Sequence, residues 1–229
     1  MSENGYRSYY GRPVIKEPVW KPQVAVYFFT GGLAGASSLL SAFARLRRHE
    51  RLASASLYMG AAADAVSAAL LVSDLGRPER FLNMLRVFKI TSPMSVGSWV
   101  LAGSGTASGI AAGCELLGIL PRTKLSAEAL AALLGAPLAT YTSVLVANTA
   151  VPVWHEARKE LPFVFGASAA ATAGAAAAVL LPTGEAGPAR RLAVAGVVGE
   201  GVAVQAMERR LGSLAEPYRQ GAAGRFARV

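Results

Sequence analysis

VAVYFFTGGLAGASSLLSAFA, residues 24–44, carries no charge over its whole length. A helix rises 1.5 Å per residue, so this run reaches about 30 Å, the thickness of bilayer hydrocarbon. Five more apolar runs follow: Ala53–Leu71, Val96–Leu120, Ala127–Val151, Leu161–Leu181 and Leu192–Met207. Short polar loops separate them, and mean hydropathy is +0.38. Hydrocarbon cannot bond to backbone polar groups, so membrane spans are helices or closed barrels. Barrel strands alternate in polarity, and these runs do not. Buried helices of a soluble bundle carry a charged face, which is missing here. The first run is too long for the apolar core of a signal peptide and starts too late in the chain. The fold expected is an all-α, polytopic transmembrane helical bundle of about six spans, at residues 24–211. A polar arm (1–23) precedes it, and a basic tail (212–229), read as a linker to further helices, follows it.

The chain has 229 residues and a net charge of +9. All 23 Lys and Arg fall outside the six runs, 15 toward the arm side and 8 toward the other. A charge at the centre of a span costs about 3 kcal/mol on insertion scales, so this sorting supports the spans. It also excludes nucleic acid as the reason for the basic charge. The count favours a cytoplasmic arm, whereas the dense loop RLRRHER (45–51) favours the reverse. The expected location is the cell (inner) membrane. One cysteine, Cys114, provides no iron–sulfur ligand set. Two histidines at span ends, His49 and His155, do not form the buried pair that a haem requires. No metal site is expected.

Small residues mark helix contacts. The first span has Gly31, Gly32 and Gly35, the third has Gly105, Gly109 and Gly113, and the fifth is nearly all Ala and Gly from 166 to 178. They imply a tight bundle rather than a wide pore. Two carboxyls stand out near the middle of spans, Asp64 in the second and Glu200 in the sixth. Ionisable groups at that depth mark function, and a carboxyl there suits proton uptake and release. The alternative is a carboxyl bonded to a neighbour that only joins helices. In the fourth span Tyr141 and Asn148, seven residues apart, share a helix face, with His155 beyond the far end. A phenol, an amide and an imidazole in a row can hydrogen-bond a polar headgroup with a long tail, such as a quinone. The same groups can also bond neighbouring helices.

The loop SDLGRPERFLNMLRVFKITSPMS (73–95) interrupts this apolar chain. Phe81, Leu82, Leu85 and Phe88 recur at nearly helical spacing, interleaved with Arg80, Arg86 and Lys89. This predicts an amphipathic helix in the interface between spans two and three. Arg77, Arg80, Arg86 and Lys89 would then face lipid headgroups or dock a soluble partner.

The blocks SDLGRPERFLNML (73–85) with TSPMSVGSWVL (91–101), YYGRPVIKEPVWKPQVAVYFFTGGLAGAS (9–37) and YTSVLVANTAVPVW (141–154) together resemble the NrfD/PsrC family of polysulfide reductase-like membrane subunits. The resemblance implies a quinone-reactive membrane subunit that carries no redox metal. Menaquinone or ubiquinone would be bound, and electrons would pass to a ferredoxin-like iron–sulfur subunit and on to a molybdopterin catalytic subunit. Tyr141 matches the family's fourth-helix tyrosine in the quinone pocket, and Asp64 matches its second-helix acid. The chain departs from the family in showing six spans rather than eight or more. Its first span also lacks a histidine, which leaves Tyr27 as a candidate ligand there. Two rivals remain: a structural anchor without quinone, and a proton-coupled transporter of small solutes.

Overall fold

The computed structural model describes residues 22–75, 77, 79 and 81–219. The expected arm up to residue 21, the last ten residues of the expected tail and Arg80 lie outside the described residues. Those described form α1 (Pro22–Leu46), α2 (Glu50–Asp74), α3 (Phe81–Met84), α4 (Pro93–Leu117), α5 (Pro121–Ala147), α6 (Pro152–Glu156), α7 (Leu161–Leu180), α8 (Gly187–Leu211) and α9 (Glu216–Arg219). Five of them, α1, α2, α4, α5 and α7, are long and apolar enough to cross a membrane. The sixth expected span falls in α8, which is 25 residues long and packs along α7. The chain is an all-α polytopic bundle.

Local sequence sets several helix ends. Ser92 accepts a hydrogen bond from the Ser95 amide at the start of α4, and Pro93 occupies its first turn. Gly118, at φ 65°, closes α4 in the left-handed conformation that glycine adopts without strain. Between α2 and α4 the expected amphipathic helix is confined to one turn, Phe81–Met84. Pro93 disfavours helix in the residue before it, and the chain reaches it extended. Ser95 holds the approach: its hydroxyl accepts from the Lys89 amide at 3.0 Å and lies 3.2 Å from the Val87 carbonyl. Phe88 meets Trp99 edge to face at 6.2 Å. Leu82, Val87, Phe88 and Ile90 point outward on this end of the bundle.

The long helices build two layers of different character. α1 packs on α2 and α5, and α4 packs on the same two, closing a ring of four. α7 lies outside that ring against α1 and α5, and α8 lies against α7. At the α1–α5 crossing two backbones touch. A Cβ on Gly135 would sit 2.5 Å from the Gly35 carbonyl oxygen, and one on Gly35 would sit 2.8 Å from the Ala139 amide. Gly174 meets Ala189 and Ala193 in the same way, and Gly196 meets Ala167 and Ala171, seating α8 on α7. The expected stripe on α4 differs. Gly109 and Gly113 face open space, Gly105 faces Asp64, and α4 meets α5 at Gly103 against Leu134.

Every buried polar side chain among the described residues belongs to α1, α2, α4 or α5. The interface of α7 with α8 and the ring is instead alanine, with Ala169, Ala173, Ala177 and Ala189 buried. The ring therefore has a polar axis and an apolar flank.

The α1–α5 contact gives a direct expectation. Gly135→Val places methyl groups against backbone that cannot yield. Overpacking of this kind costs about 1–3 kcal/mol, so the detergent-solubilised protein should unfold at a lower temperature. The matched change Gly109→Val, in open space, should leave the transition unmoved.

Candidate functional site

At the end of the ring nearest the start of α1, a cavity of about 150 Å³ opens between α1, α2, α4 and α5. Its wall includes Gln23 and Tyr27 of α1, Leu70 and Asp74 of α2, Ser98 of α4 and Tyr141 of α5. Tyr27 is buried, and among the described residues its hydroxyl has no hydrogen-bond partner, nor does Gln23 Oε1. Buried polar atoms are nearly always bonded, so two orphans in one cavity point to a ligand or water that completes them. The Tyr27 and Tyr141 rings meet edge to face at 6.4 Å. Gly97 of α4 lies under the Tyr141 ring, where a Cβ would collide with three ring atoms. Glycine there lets the Tyr141 ring pack directly against α4 at the cavity wall.

Behind this cavity, two hydrogen bonds involve side chains of α1 and α2. Ser67 of α2 donates to Thr30 of α1 at 2.7 Å, and the Thr30 hydroxyl lies 3.4 Å from the Tyr27 carbonyl oxygen. One turn further along α2 is Asp64, buried at 1% exposure. Ser108 donates to its Oδ2 at 2.7 Å and Ser104 at 3.2 Å, both from α4. Among the described residues Oδ1 has no partner, so two hydroxyls hold one oxygen of the carboxyl and none holds the other. Gly105 stands beside the Asp64 Cβ at 3.7 Å and gives α2 room to approach.

The expected site residues do not all meet. Tyr141 lines the cavity and Asp64 lies on the axis behind it. Asn148 is the residue that ends α5, exposed and outside the cavity wall. His155 is also exposed, with Nδ1 3.2 Å from the Ala147 carbonyl oxygen, so it closes the end of α5. Glu200 lines a separate cavity of about 240 Å³ with Phe28, Ser168 and Thr172, outside the ring. Arg77, Arg86 and Lys89 are exposed at the cavity end of the bundle. Among the described residues no group of three or more metal-ligating side chains occurs.

Three features had no place in the sequence reading. Gly97 and Gln23 gain meaning only from what packs beside them. Glu128, at the start of the expected fourth span, is buried at 2% exposure.

A family model described as "Polysulphide reductase, NrfD" matches residues 14–191. No curated protein matches the chain.

The Gly97 contact gives the next expectation. Gly97→Ala pushes the Tyr141 ring away from α4 without touching the span's polarity. Binding of a quinone analogue, followed by thermal shift in detergent, should weaken about ten-fold, the loss of one well-placed hydrogen bond. The unliganded transition should change much less.

Proposed function

We propose, because this chain belongs to the NrfD polysulphide reductase family, that it is the multi-pass membrane subunit through which an oxidoreductase complex exchanges electrons with membrane quinone. The observation that carries the proposal is the pair of orphaned polar atoms, Tyr27 hydroxyl and Gln23 Oε1, beside Tyr141 in an otherwise largely apolar cavity. That lining fits a headgroup with oxygen at its edge and an apolar ring and tail. Bound quinol supplies two electrons and two protons as it is oxidised, and quinone takes up the same numbers in reverse.

The protein's part is to bind, orient and move protons. Tyr141 and Tyr27 present phenols, each able to donate to or accept from a headgroup oxygen. Gly97 sets the plane of Tyr141. Leu70, Leu71 and Leu145 complete an apolar wall. The Thr30–Ser67 bond leads from Tyr27 toward Asp64, whose unpaired Oδ1 accepts the proton. Asp64 is favoured over Glu200 for this step because Glu200 opens to a cavity outside the ring.

Electrons pass to a ferredoxin-like iron–sulfur subunit and from there to a molybdopterin catalytic subunit. The docking surface is the cavity end of the bundle, where Arg77, Arg86 and Lys89 are exposed around α3. A partner seated there lies close to the headgroup, which keeps the electron path short.

Tyr141→Phe tests the site. It removes one hydroxyl and keeps the ring, so quinone affinity should fall by about 1–3 kcal/mol. Unchanged quinone and inhibitor affinity, with normal assembly, would leave only a structural anchor.

Docking is tested separately. Exposed ion pairs contribute about 0–1 kcal/mol each, so single changes should be silent. Reversing Arg77, Arg86 and Lys89 together to Glu places like charges against an acidic partner, which costs several kcal/mol. The membrane subunit should still insert but no longer co-purify with the iron–sulfur subunit at moderate salt. A surface that touches lipid only would keep the complex intact.

A further inference from the structure

Outside the ring, a groove of about 410 Å³ lies between α1, α5, α7 and α8. Ala36 and Ala139 lie buried in it, whereas Leu39 and Phe43 of α1 are 41% and 57% exposed. Leu192 of α8 adds to the wall. The end nearer the cavity of the ring is shut. Thr140 and Gly166 come together there, and a Cβ on the glycine would lie 3.3 Å from the threonine methyl. From that point the lining follows α1 outward to Phe43, one turn before the helix ends. Thr140 is the only polar side chain among the described lining residues, and its hydroxyl donates to the Ala136 carbonyl oxygen at 3.0 Å. The groove thus offers a ligand apolar surface and no free side-chain hydrogen bond.

The open end of the groove is basic. Ala36, Leu40, Phe43 and Arg47 recur at spacings of three and four, so they share one face. The Arg47 amide bonds the Phe43 carbonyl at 3.1 Å, which carries that face one residue past the end of α1. The Arg47 guanidinium lies over the Phe43 ring, 5.2 Å from its centre, and so stands at the mouth of the groove. Arg191 adjoins Leu192 in α8. Arg122 lies about four turns from Ala136 on the same face of α5.

These three arginines are exposed and have no acidic partner among the described residues. The carboxylates at this end of the bundle are already matched. Arg45 gathers Glu128 at 2.9 Å, Glu50 at 2.7 Å and Glu115 at 3.6 Å into one charge cluster, and Arg51 holds Glu185 at 2.7 Å. Eight basic residues stand here against those four acidic ones, so the surface has positive charge left over for an anion from outside the chain.

We infer that this groove is a binding site for an anionic phospholipid, with an acyl chain along Leu39, Leu40 and Phe43 and the phosphate on Arg47 and Arg191. The order of the parts carries the inference. Going outward, apolar lining gives way to an aromatic ring and then to cations, the order of tail, glycerol and phosphate in a lipid leaflet. Arginine suits phosphate because its planar fork of N–H groups matches two phosphate oxygens. A free phosphate would leave the apolar groove unused, and a zwitterionic lipid would bring a second positive charge to the arginines. The site lies outside the ring and does not depend on the quinone reading.

The test uses the purified full chain in mild detergent, with lipid binding followed by native mass spectrometry and by thermal shift. Phosphatidylglycerol should bind about ten-fold more tightly than phosphatidylcholine of the same chain length, and it should raise the unfolding temperature. Each arginine near an anionic headgroup is worth roughly five-fold, so Arg47→Gln with Arg191→Gln should weaken phosphatidylglycerol about 25-fold. Ala136→Leu fills the groove from an exposed position and leaves the charges in place. It should weaken phosphatidylglycerol and phosphatidylcholine alike, several-fold. If that variant does not fold, Ala170→Leu, in the same lining, replaces it. Weaker binding in both the arginine variant and the groove variant supports the site. Unchanged binding in either one overturns it, as does equal affinity for the two lipids. Stabilisation by inorganic phosphate as great as by phosphatidylglycerol also overturns it, in favour of a free-anion site.

Discussion

Hydrocarbon offers no hydrogen bonds, and that one property of the solvent orders this structure. A polar side chain within the membrane must meet its partner inside the protein or bear the cost of desolvation. Thirteen polar or charged side chains are buried among the described residues, and all sit on the four helices of the ring. Such confinement follows from the geometry. Only an axis enclosed on four sides hides a hydroxyl or carboxyl from lipid on every side. The α7–α8 pair has one shared face and fills it with alanine and glycine, which need nothing from their surroundings. Asp64 is tolerated at mid-membrane because α4 brings Ser104 and Ser108, spaced one turn apart, to the same carboxyl oxygen.

Register along the axis is fixed by the α1–α5 crossing. Gly35 and Gly135 touch backbone to backbone, so neither helix slides or rolls without collision. Tyr27 and Tyr141 lie on one side of that crossing, and Arg45 and Glu128 lie on the other. Each pair is six to ten residues from it, which is about 9–15 Å of helix. One rigid contact therefore positions the cavity wall and the far charge cluster together. The Ser41–Glu128 contact and the Thr30–Ser67 bond then tie the same frame to α5 and α2.

Much of this was legible in the sequence because lipid imposes simple rules. Span length follows from bilayer thickness, and the loops hold the basic residues for the same reason. Asp64 stood out because an acid in an apolar run needs an explanation, and Tyr141 through its place in the fourth span. What failed to show was direction. Asn148 shares a face with Tyr141 only if the helix continues, yet α5 ends at Ala147. Pro152 disfavours helix just before it, and the chain turns at 148–150. The glycines of α4 looked like those of α1, but a stripe of small residues reads the same whether it meets a neighbour or open space. Glu128 sits four residues from Lys124, near the end of its span, so it resembled one more loop charge. Its burial comes from Arg45, which reaches it from a helix 83 positions away in sequence. Gly97 carries no signal of its own, since its role lies in the ring of another helix.

The two layers also differ in what they could carry. An electron tunnels through apolar packing, so its path is governed by distance, and the cavity lies at one end of the ring. A proton moves only between groups that can bond it, so its path is governed by polarity. From the cavity the polar groups run inward along the ring and not sideways, because the apolar flank of α7 and α8 carries no buried polar side chain among the described residues. The same exclusion of polar groups from lipid that folds the chain thus keeps buried hydroxyls and carboxyls on the ring axis and out of the flank.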